Sequence, residues 1–311
     1  MPYTANDKSV NNSLALAEQY LPILDEVYQV SSRSAILDAT GARVRFDGGN
    51  AVEIFKMSVN GLGDYDRNKG FVTGDVTGTW EKKTLEQDRG RGFLVDAMDN
   101  DETIGQAFGA LAGEFLRTKV VPEIDAYTFA KLASTTGILT GTAADLTSSS
   151  DVPALLSEAE YSLGEAEVDA SQCILFVSEK AYRFLKDKIT RLVTNDERGI
   201  NHAIDYYDDM RVIRVPQVRF NTGITQYDGT TTGEEAGGYI PASGAYPINF
   251  MIVDPAAVIK VTKHAVPRIF APGVTQSADA WLFQYRVYHD VFTMDNHVHG
   301  IYLHRGSTAI V

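Results

Sequence analysis

Residues 101–136, DETIGQAFGALAGEFLRTKVVPEIDAYTFAKLASTT, constrain the fold more than any other stretch. Ile104, Phe108, Leu111 and Phe115, then Val121, Ile124 and Leu132, recur at helical spacing and share one stripe, with Glu, Arg, Lys and Asp opposite. Asp101 and Glu102 put negative charge near the start, and Gly137 follows the last periodic residues. Pro122 removes one backbone donor and crowds the carbonyl of Thr118. Because the stripe resumes without a loop, a bend within one helix is expected there. At about 1.5 Å per residue the helix is a rod of roughly 50 Å, as long as a small domain is wide. Such a rod is a spine for other elements, and Leu111 and Phe115 are expected to be buried against the last strands of the chain.

The 311 residues, 44% hydrophobic and 22% charged, match a soluble globular chain with room for two compact units. No apolar run reaches membrane-spanning length, and MPYTANDKSVNNS has neither the basic region nor the apolar core of a secretory leader. Secretion and membrane insertion are therefore not expected. Cys173 is the lone cysteine, inside the apolar run QCILFV, and reads as a small buried hydrophobe rather than a catalytic thiol. With 41 acidic against 28 basic side chains the net charge is -13, and no long basic run occurs. That balance argues against tight wrapping of nucleic acid, where affinity comes from neutralising phosphates.

Residues 1–50 read as an arm. Leu14, Ala17, Leu21, Leu24 and Val27 form a helical stripe interrupted by Pro22, with no nearby core to cover it. Residues 51–59, AVEIFKMSV, alternate Val52, Ile54 and Lys56 against Glu53, Phe55 and Met57, as an exposed ribbon strand does. Glycines at 61, 63, 70, 74 and 78 mark a loop tip, and the return leg through Asp96 again has strand character with few apolar residues before Phe93. A polar two-stranded hairpin lacks a hydrophobic partner for either face, so it is expected to lie across another subunit.

Beyond the spine, Asp151 or Ser150 caps a helix beginning PALLSEAEYSL, QCILFVS is a buried strand, and Ser178 caps EKAYRFLKDKI. RVIRVPQVRF is a strand ending at Pro216, followed by a Gly/Thr-rich surface excursion. INFMIVDPAAVIKVTKHAVPRIFAP gives two strands, and AWLFQYRVYHDVF, apolar on both faces, a central strand or one covered by neighbouring subunits.

Chemistry-bearing motifs are weak. Asp64, Asp66, Asn68 and Asp75 echo a calcium loop, but Lys69 stands where such a loop needs glycine, and Asp75 is shorter than the bidentate Glu. His289, His297, His299 and His304 cluster in sequence, with His297 and His299 on one face of an expected strand; packing or interface roles are favoured over a metal site. No phosphate-binding glycine fingerprint is present, and Ser178 lacks the glycines of a nucleophile elbow. No catalytic residue, cofactor site or metal site is assigned.

Read together, the polar arm, the glycine-tipped hairpin, the spine with VVPEIDAYTFAKLA, then ILFVSEKAYRFLKD, VIRVPQVRF and FQYRVYHDVFTMDNHVHGIYLHR resemble the major capsid proteins of tailed double-stranded DNA phages. The resemblance covers nearly the whole chain through element order rather than one diagnostic motif. It implies an α+β fold with an N-arm at 1–50, an extended β-hairpin loop at 51–97, a peripheral domain at 98–150 and 260–311, and an axial domain at 151–259. It also implies self-assembly into pentamers and hexamers around a packaged genome. The arm starts near Met1, so a separate scaffolding protein, or prior trimming to a mature form, is expected; a portal is a further partner. A bacterial nanocompartment shell of the same fold is the alternative. Lys82, Lys83, Arg89 and Arg91 are the basic residues expected to meet acidic patches on adjacent subunits, at Glu123 and Asp125 or at Asp205, Asp208 and Asp209. Some relatives crosslink subunits through lysine; Lys56, Lys69, Lys82 and Lys83 lie on the hairpin, with no partner identifiable from sequence.

Overall fold

The computed structural model describes residues 31–38, 44–46, 51–65, 67, 70–96, 106–147, 151–188, 204–270 and 279–310. The arm stripe from Leu14 to Val27, the tip residues Asp66, Asn68 and Lys69, Ser150, and the spine before Gln106 lie outside them.

The spine runs as α1 (Gln106–Phe115), a π-turn (Leu116–Val120) and α2 (Val121–Ala133) without interruption. The disturbance expected at Pro122 is taken up one turn earlier. Pro122 sits in the first turn of α2, where a missing N–H costs least, and the wider π-turn precedes it. The Thr118 hydroxyl donates back to the Glu114 carbonyl at 2.7 Å, satisfying an acceptor in the loosened turn. At the far end Ser134 N–H donates to the Ala130 carbonyl, and Gly137, at φ +91°, lets the chain leave in a left-handed conformation.

In chain order the strands are β1 (Val44–Phe46), β2 (Ala51–Val59), β3 (Val76–Thr84), β4 (Gln87–Asp96), β5 (Leu139–Thr140), β6 (Ile174–Ser178) and β7 (Tyr206–Tyr207). They continue with β8 (Met210–Val215), β9 (Ile224–Tyr227), β10 (Gly238–Pro241), β11 (Ile248–Val253), β12 (Val258–Phe270), β13 (Ala280–Thr293) and β14 (Ile301–Arg305). Two further helices, α3 (Val152–Glu165) and α4 (Glu179–Lys188), flank β6. Asp151 caps α3 by accepting from Ala154 N–H, and the Ser178 hydroxyl accepts from Ala181 N–H at 3.2 Å, which accounts for both residues without catalysis.

One antiparallel sheet, ordered β12-β13-β4, covers the first half of the spine, and β13 is its central strand, as its two-faced apolar pattern requires. Pro267 is tolerated because β12 is an edge. Phe283 and Tyr285 of β13 pack with Ala112, Leu116, Val120 and Ile124. The buried line is offset from the expected one: Ala112 and Leu116 are buried, while Leu111 and Phe115 are half-buried at its border. A π-turn inserts an extra residue, so the buried positions before it that share a face with Ile124 fall one place earlier than in an unbroken α-helix, at Leu116 and Ala112 rather than Arg117 and Gly113. Phe115 still meets Phe93 edge-on at 4.9 Å. Phe283→Ala, in the fully buried layer, is expected to lower unfolding free energy by about 3–5 kcal/mol in a denaturant titration, and Phe115→Ala by clearly less. Equal losses would show that the ring of Phe115 is as enclosed as that of Phe283.

The second, six-stranded sheet is ordered β5-β14-β11-β6-β8-β7. Strands β6 and β11 are buried along their whole length, because α3 and α4 cover one face through Leu156, Leu163 and Leu185 while α2 covers the other through Phe129 and Leu132. The spine therefore packs against both sheets, its first half on one and its last half on the other. This sheet also takes in β5 and β14, which lie outside residues 151–259. The excursion after Pro216 is more ordered than its composition implies, with β9 and β10 pairing antiparallel from Ile224↔Pro241 to Tyr227↔Gly238.

The hairpin is β2 and β3, paired from Ala51↔Thr84 to Val59↔Val76. Its return leg does not run on to residue 97 as one strand. The ribbon ends at Thr84, Leu85 is buried, and β4 leaves to pair with β13. Val52, Ile54 and Leu85 pack on Ile259 and Val261, so the base of the ribbon is anchored in the body, contrary to a ribbon exposed throughout.

Candidate assembly surfaces

The ladder places Phe55 opposite Trp80, Met57 opposite Gly78 and Val59 opposite Val76. These alternate positions lie on one face of the ribbon. The rings of Phe55 and Trp80 are 5.2 Å apart, and both are exposed, 43% and 51%. Gly78 is required by this arrangement, since a Cβ there would meet the Phe55 ring at 3.0 Å. Met57, Val59 and Val76 are more exposed still, and toward the tip Tyr65 and Phe71 pair at 4.9 Å in the open. The opposite face carries Lys56, Thr79 and Glu81. Strand β1 pairs with β2 only as far as Ile54, so beyond it the ribbon is two-stranded, and its uncovered apolar face gains free energy only when something else covers it. The sequence placed Phe55 and Met57 on one face; it could not supply the cross-strand register that adds Trp80 and Val76.

The six charged candidates fall into two groups. Lys82 and Lys83 are on β3 near the base of the ribbon, with Lys82 opposite Glu53 and the Lys83 ammonium 2.6 Å from Glu81. Arg89 and Arg91 are not on the hairpin but on β4, facing the spine and the β9–β10 loop. Arg89 Nε lies 2.6 Å from Glu123 Oε1 and its Nη2 donates to the Tyr227 carbonyl at 2.9 Å. Arg91 Nη2 donates to the Glu235 carbonyl at 3.0 Å. The Arg89–Glu123 pairing expected between subunits is thus made within one chain, because β4 departs from the ribbon and runs beside the spine.

Asp125 corrects the expectation of a surface acid more sharply. It is 0% exposed and accepts from the Ser32 hydroxyl at 2.7 Å, the Ser34 hydroxyl at 2.6 Å, Arg33 N–H at 2.9 Å, Ser34 N–H at 3.1 Å and Arg219 Nη1 at 3.2 Å. Lys260, also buried, adds its ammonium to the Ser34 hydroxyl at 3.1 Å and to Asp38 at 2.7 Å. This network fastens residues 31–38 to the spine. Two residues apart on the helix, Glu123 and Asp125 face different partners, as their spacing requires.

The other acidic patch is an exposed turn between β7 and β8, with Asp208 at φ +45° and Asp209 at φ +65°. Glu160 of α3 approaches it. Burial, and then the neighbouring Asp208 charge, push the Glu160 carboxyl up to about 7. An unfolded Glu titrates near 4.3, so the penalty on the folded state is absent below about 4.3, grows as pH rises from there toward 7, and is fully present above about 7. Glu160→Gln should therefore melt higher than the parent at pH 8, with the advantage shrinking toward pH 5. A melting difference that does not change with pH would show that the Glu160 charge is not at issue.

The metal and nucleophile motifs are dispersed. His297 and His299 lie in a 3-10 segment (Asp295–Gly300) rather than a strand, because the chain turns there between β13 and β14. His289 and His304 are buried in different sheets, with His304 beside Asn249 at 3.1 Å. Burial, chiefly, holds the His289 imidazole down at about 4, so it is neutral at ordinary pH. Burial also pushes the Cys173 thiol up to about 12, which keeps it from forming the nucleophilic thiolate. Asp64 and Asp75 are exposed, and among the described residues no group of three His, Cys, Asp or Glu side chains is placed to hold a metal ion. Among those residues no helix is long and apolar enough to cross a membrane.

No family model matches the sequence, and no curated protein matches it. Solved structures do match. A chain from Gordonia phage Cozz is similar at TM-score 0.59 and 14% identity, over 89% of this chain and 87% of that one. One from the capsid of cyanophage P-SCSP1u is similar at TM-score 0.54 and 10% identity, over 85% of each chain. A virus-like particle from Pyrococcus furiosus is similar at TM-score 0.50 and 12% identity, over 92% of this chain and 99% of that one.

Proposed function

We propose that this chain, which has the α+β fold of tailed-phage major capsid proteins, is a structural subunit that assembles with copies of itself into a closed icosahedral shell around a phage genome. One observation carries the reading: the anchored ribbon β2–β3 holds Phe55, Met57, Val59, Val76 and Trp80 on a face that nothing among the described residues covers. A second subunit is the covering that such a ribbon fits. Its partners on this reading are other copies in pentamers and hexamers, a separate scaffolding protein, a portal, and double-stranded DNA enclosed without sequence-specific contact. The net charge of -13 supports an enclosing wall that does not grip a dense polyanion. No enzymatic step, cofactor or membrane enters, and the site of action is the virion.

Electron microscopy of the purified protein tests this directly: closed shells with capsomers are expected, and dispersed monomers at all concentrations would overturn it. The likeness to the Pyrococcus furiosus virus-like particle favours one second reading, a nanocompartment shell enclosing protein cargo. Shells isolated from the native source containing protein and no DNA would select it.

Lys82 is exposed and Lys83 half-exposed at the base of the ribbon, and we place them at the contact with a neighbour's acidic patch, for which the turn at Asp208 and Asp209 is exposed. Exposed ion pairs contribute about 0–1 kcal/mol each and are screened by salt. Reversing both lysines to Glu is expected to raise the critical concentration for shell formation several-fold at low ionic strength, with the difference narrowing in salt. Unchanged assembly at low ionic strength would remove these lysines from the interface.

A further inference from the structure

A groove of about 970 Å³ runs along the spine, lined by α1 and α2, by β4 and β13, and by the segment from Pro216 through β10. Leu111, Phe115, Lys119 and Pro122 line it at three- and four-residue steps, one continuous stripe of roughly 17 Å. Its walls are apolar at Phe93, Tyr285 and Val218, and Arg91 and Lys119 stand exposed on its rim. Arg219 lines one end of the groove, and its Nη1 donates to the Ser31 carbonyl at 3.4 Å. The serines that follow are fixed on Asp125. Ser31, where the described chain begins, is therefore held by a residue that lines this groove.

We propose that the groove is the seat of residues 12–28 of this same chain. Three properties of that segment fit. Leu14, Ala17, Leu21, Leu24 and Val27 form an apolar stripe, and at helical rise the segment is about 25 Å long, enough to follow the groove from end to end. Glu18, Asp25 and Glu26 are its charges, with no Lys or Arg between Lys8 and Arg33, and they meet a lining that carries Arg89, Arg91, Lys119 and Arg219 against Glu114, Glu123 and Asp228. The tether at Ser31 keeps the segment at an effective concentration of order millimolar, so a contact too weak to hold a free peptide suffices.

The test uses the full chain, dilute. Leu21→Cys is combined with Val218→Cys, a groove position 66% exposed, so its replacement leaves the core alone. The buried Cys173 does not compete. Mild oxidation is expected to give an intrachain disulfide at monomer mass, whereas Leu21→Cys with Val72→Cys on the hairpin gives none. In the unaltered chain, amides of residues 12–28 are expected to exchange with solvent at least tenfold slower than free peptide, and Val218→Asp should abolish that protection. Interchain disulfides that grow with concentration would assign the groove to a second copy and overturn the proposal. Absence of the intrachain disulfide, or protection unaffected by Val218→Asp, would also overturn it.

Discussion

Replacing Phe55 and Trp80 together by Ser should yield a folded, soluble subunit that no longer closes into shells. Both rings are about half exposed in the single chain and meet each other at a tilt, so their loss removes little from the subunit's own stability. Covered by a neighbour, each ring contributes about 1–2 kcal/mol. That loss recurs at every copy of the contact, and closure depends on all copies, so a modest change per subunit becomes an all-or-none change in the assembly. Circular dichroism and melting temperature should stay near the parent values while sedimentation shows only small oligomers. Normal shells from this variant would mean that the apolar face of the ribbon is not where subunits meet. Unfolded subunits would instead place both rings in the subunit's own core.

Asp125→Ala should cost about 3–5 kcal/mol of unfolding free energy, the usual consequence of removing one partner from a buried charged pair. The carboxylate is 0% exposed and accepts from two hydroxyls, two backbone N–H groups and Arg219, so its removal orphans several donors at once. Asp125→Asn keeps the shape and one acceptor oxygen but brings an NH₂ group toward donors, and should recover only part of the loss. The readout is the denaturant midpoint, with hydrogen exchange at residues 31–38 as the local reporter. A loss under about 1 kcal/mol with unchanged exchange there would show that the arm is held by something other than this carboxylate.

Much of this architecture was legible because it rests on periodicity. The spine, the buried β6 and β11, the central β13 and the caps at Asp151 and Ser178 follow from spacing and local chemistry. What was not legible depends on pairing between distant segments. Nothing local distinguishes β3 from β4, yet one belongs to the ribbon and the other to the body, which is why the pattern alone puts Arg89 and Arg91 on the hairpin. Asp125 sits among charged residues in sequence, and only the arrival of Ser32 and Ser34, more than ninety positions away, makes it interior. The π-turn is likewise silent in the pattern: proline signals a disturbance, but not that the helix will absorb it by an extra residue upstream.

The two-residue junction between β3 and β4 has a mechanical consequence. Its backbone is held on both sides, with the Tyr288 hydroxyl donating to the Leu85 carbonyl at 3.0 Å and Glu86 N–H donating to Asp290 Oδ2 at 2.9 Å. Tension applied at the tip of the ribbon reaches the body through this junction and β4, whose register with β13 runs unbroken from Gln87↔His289 to Asp96↔Ala280. Lengthwise pulling loads the rungs of that ladder in shear, so they share the force and must fail together, whereas a strand pulled sideways peels one rung at a time. The ribbon is in effect a strap stitched along its whole seam, and on the shell reading proposed above a pull on its tip is carried by the sheet that packs on the spine.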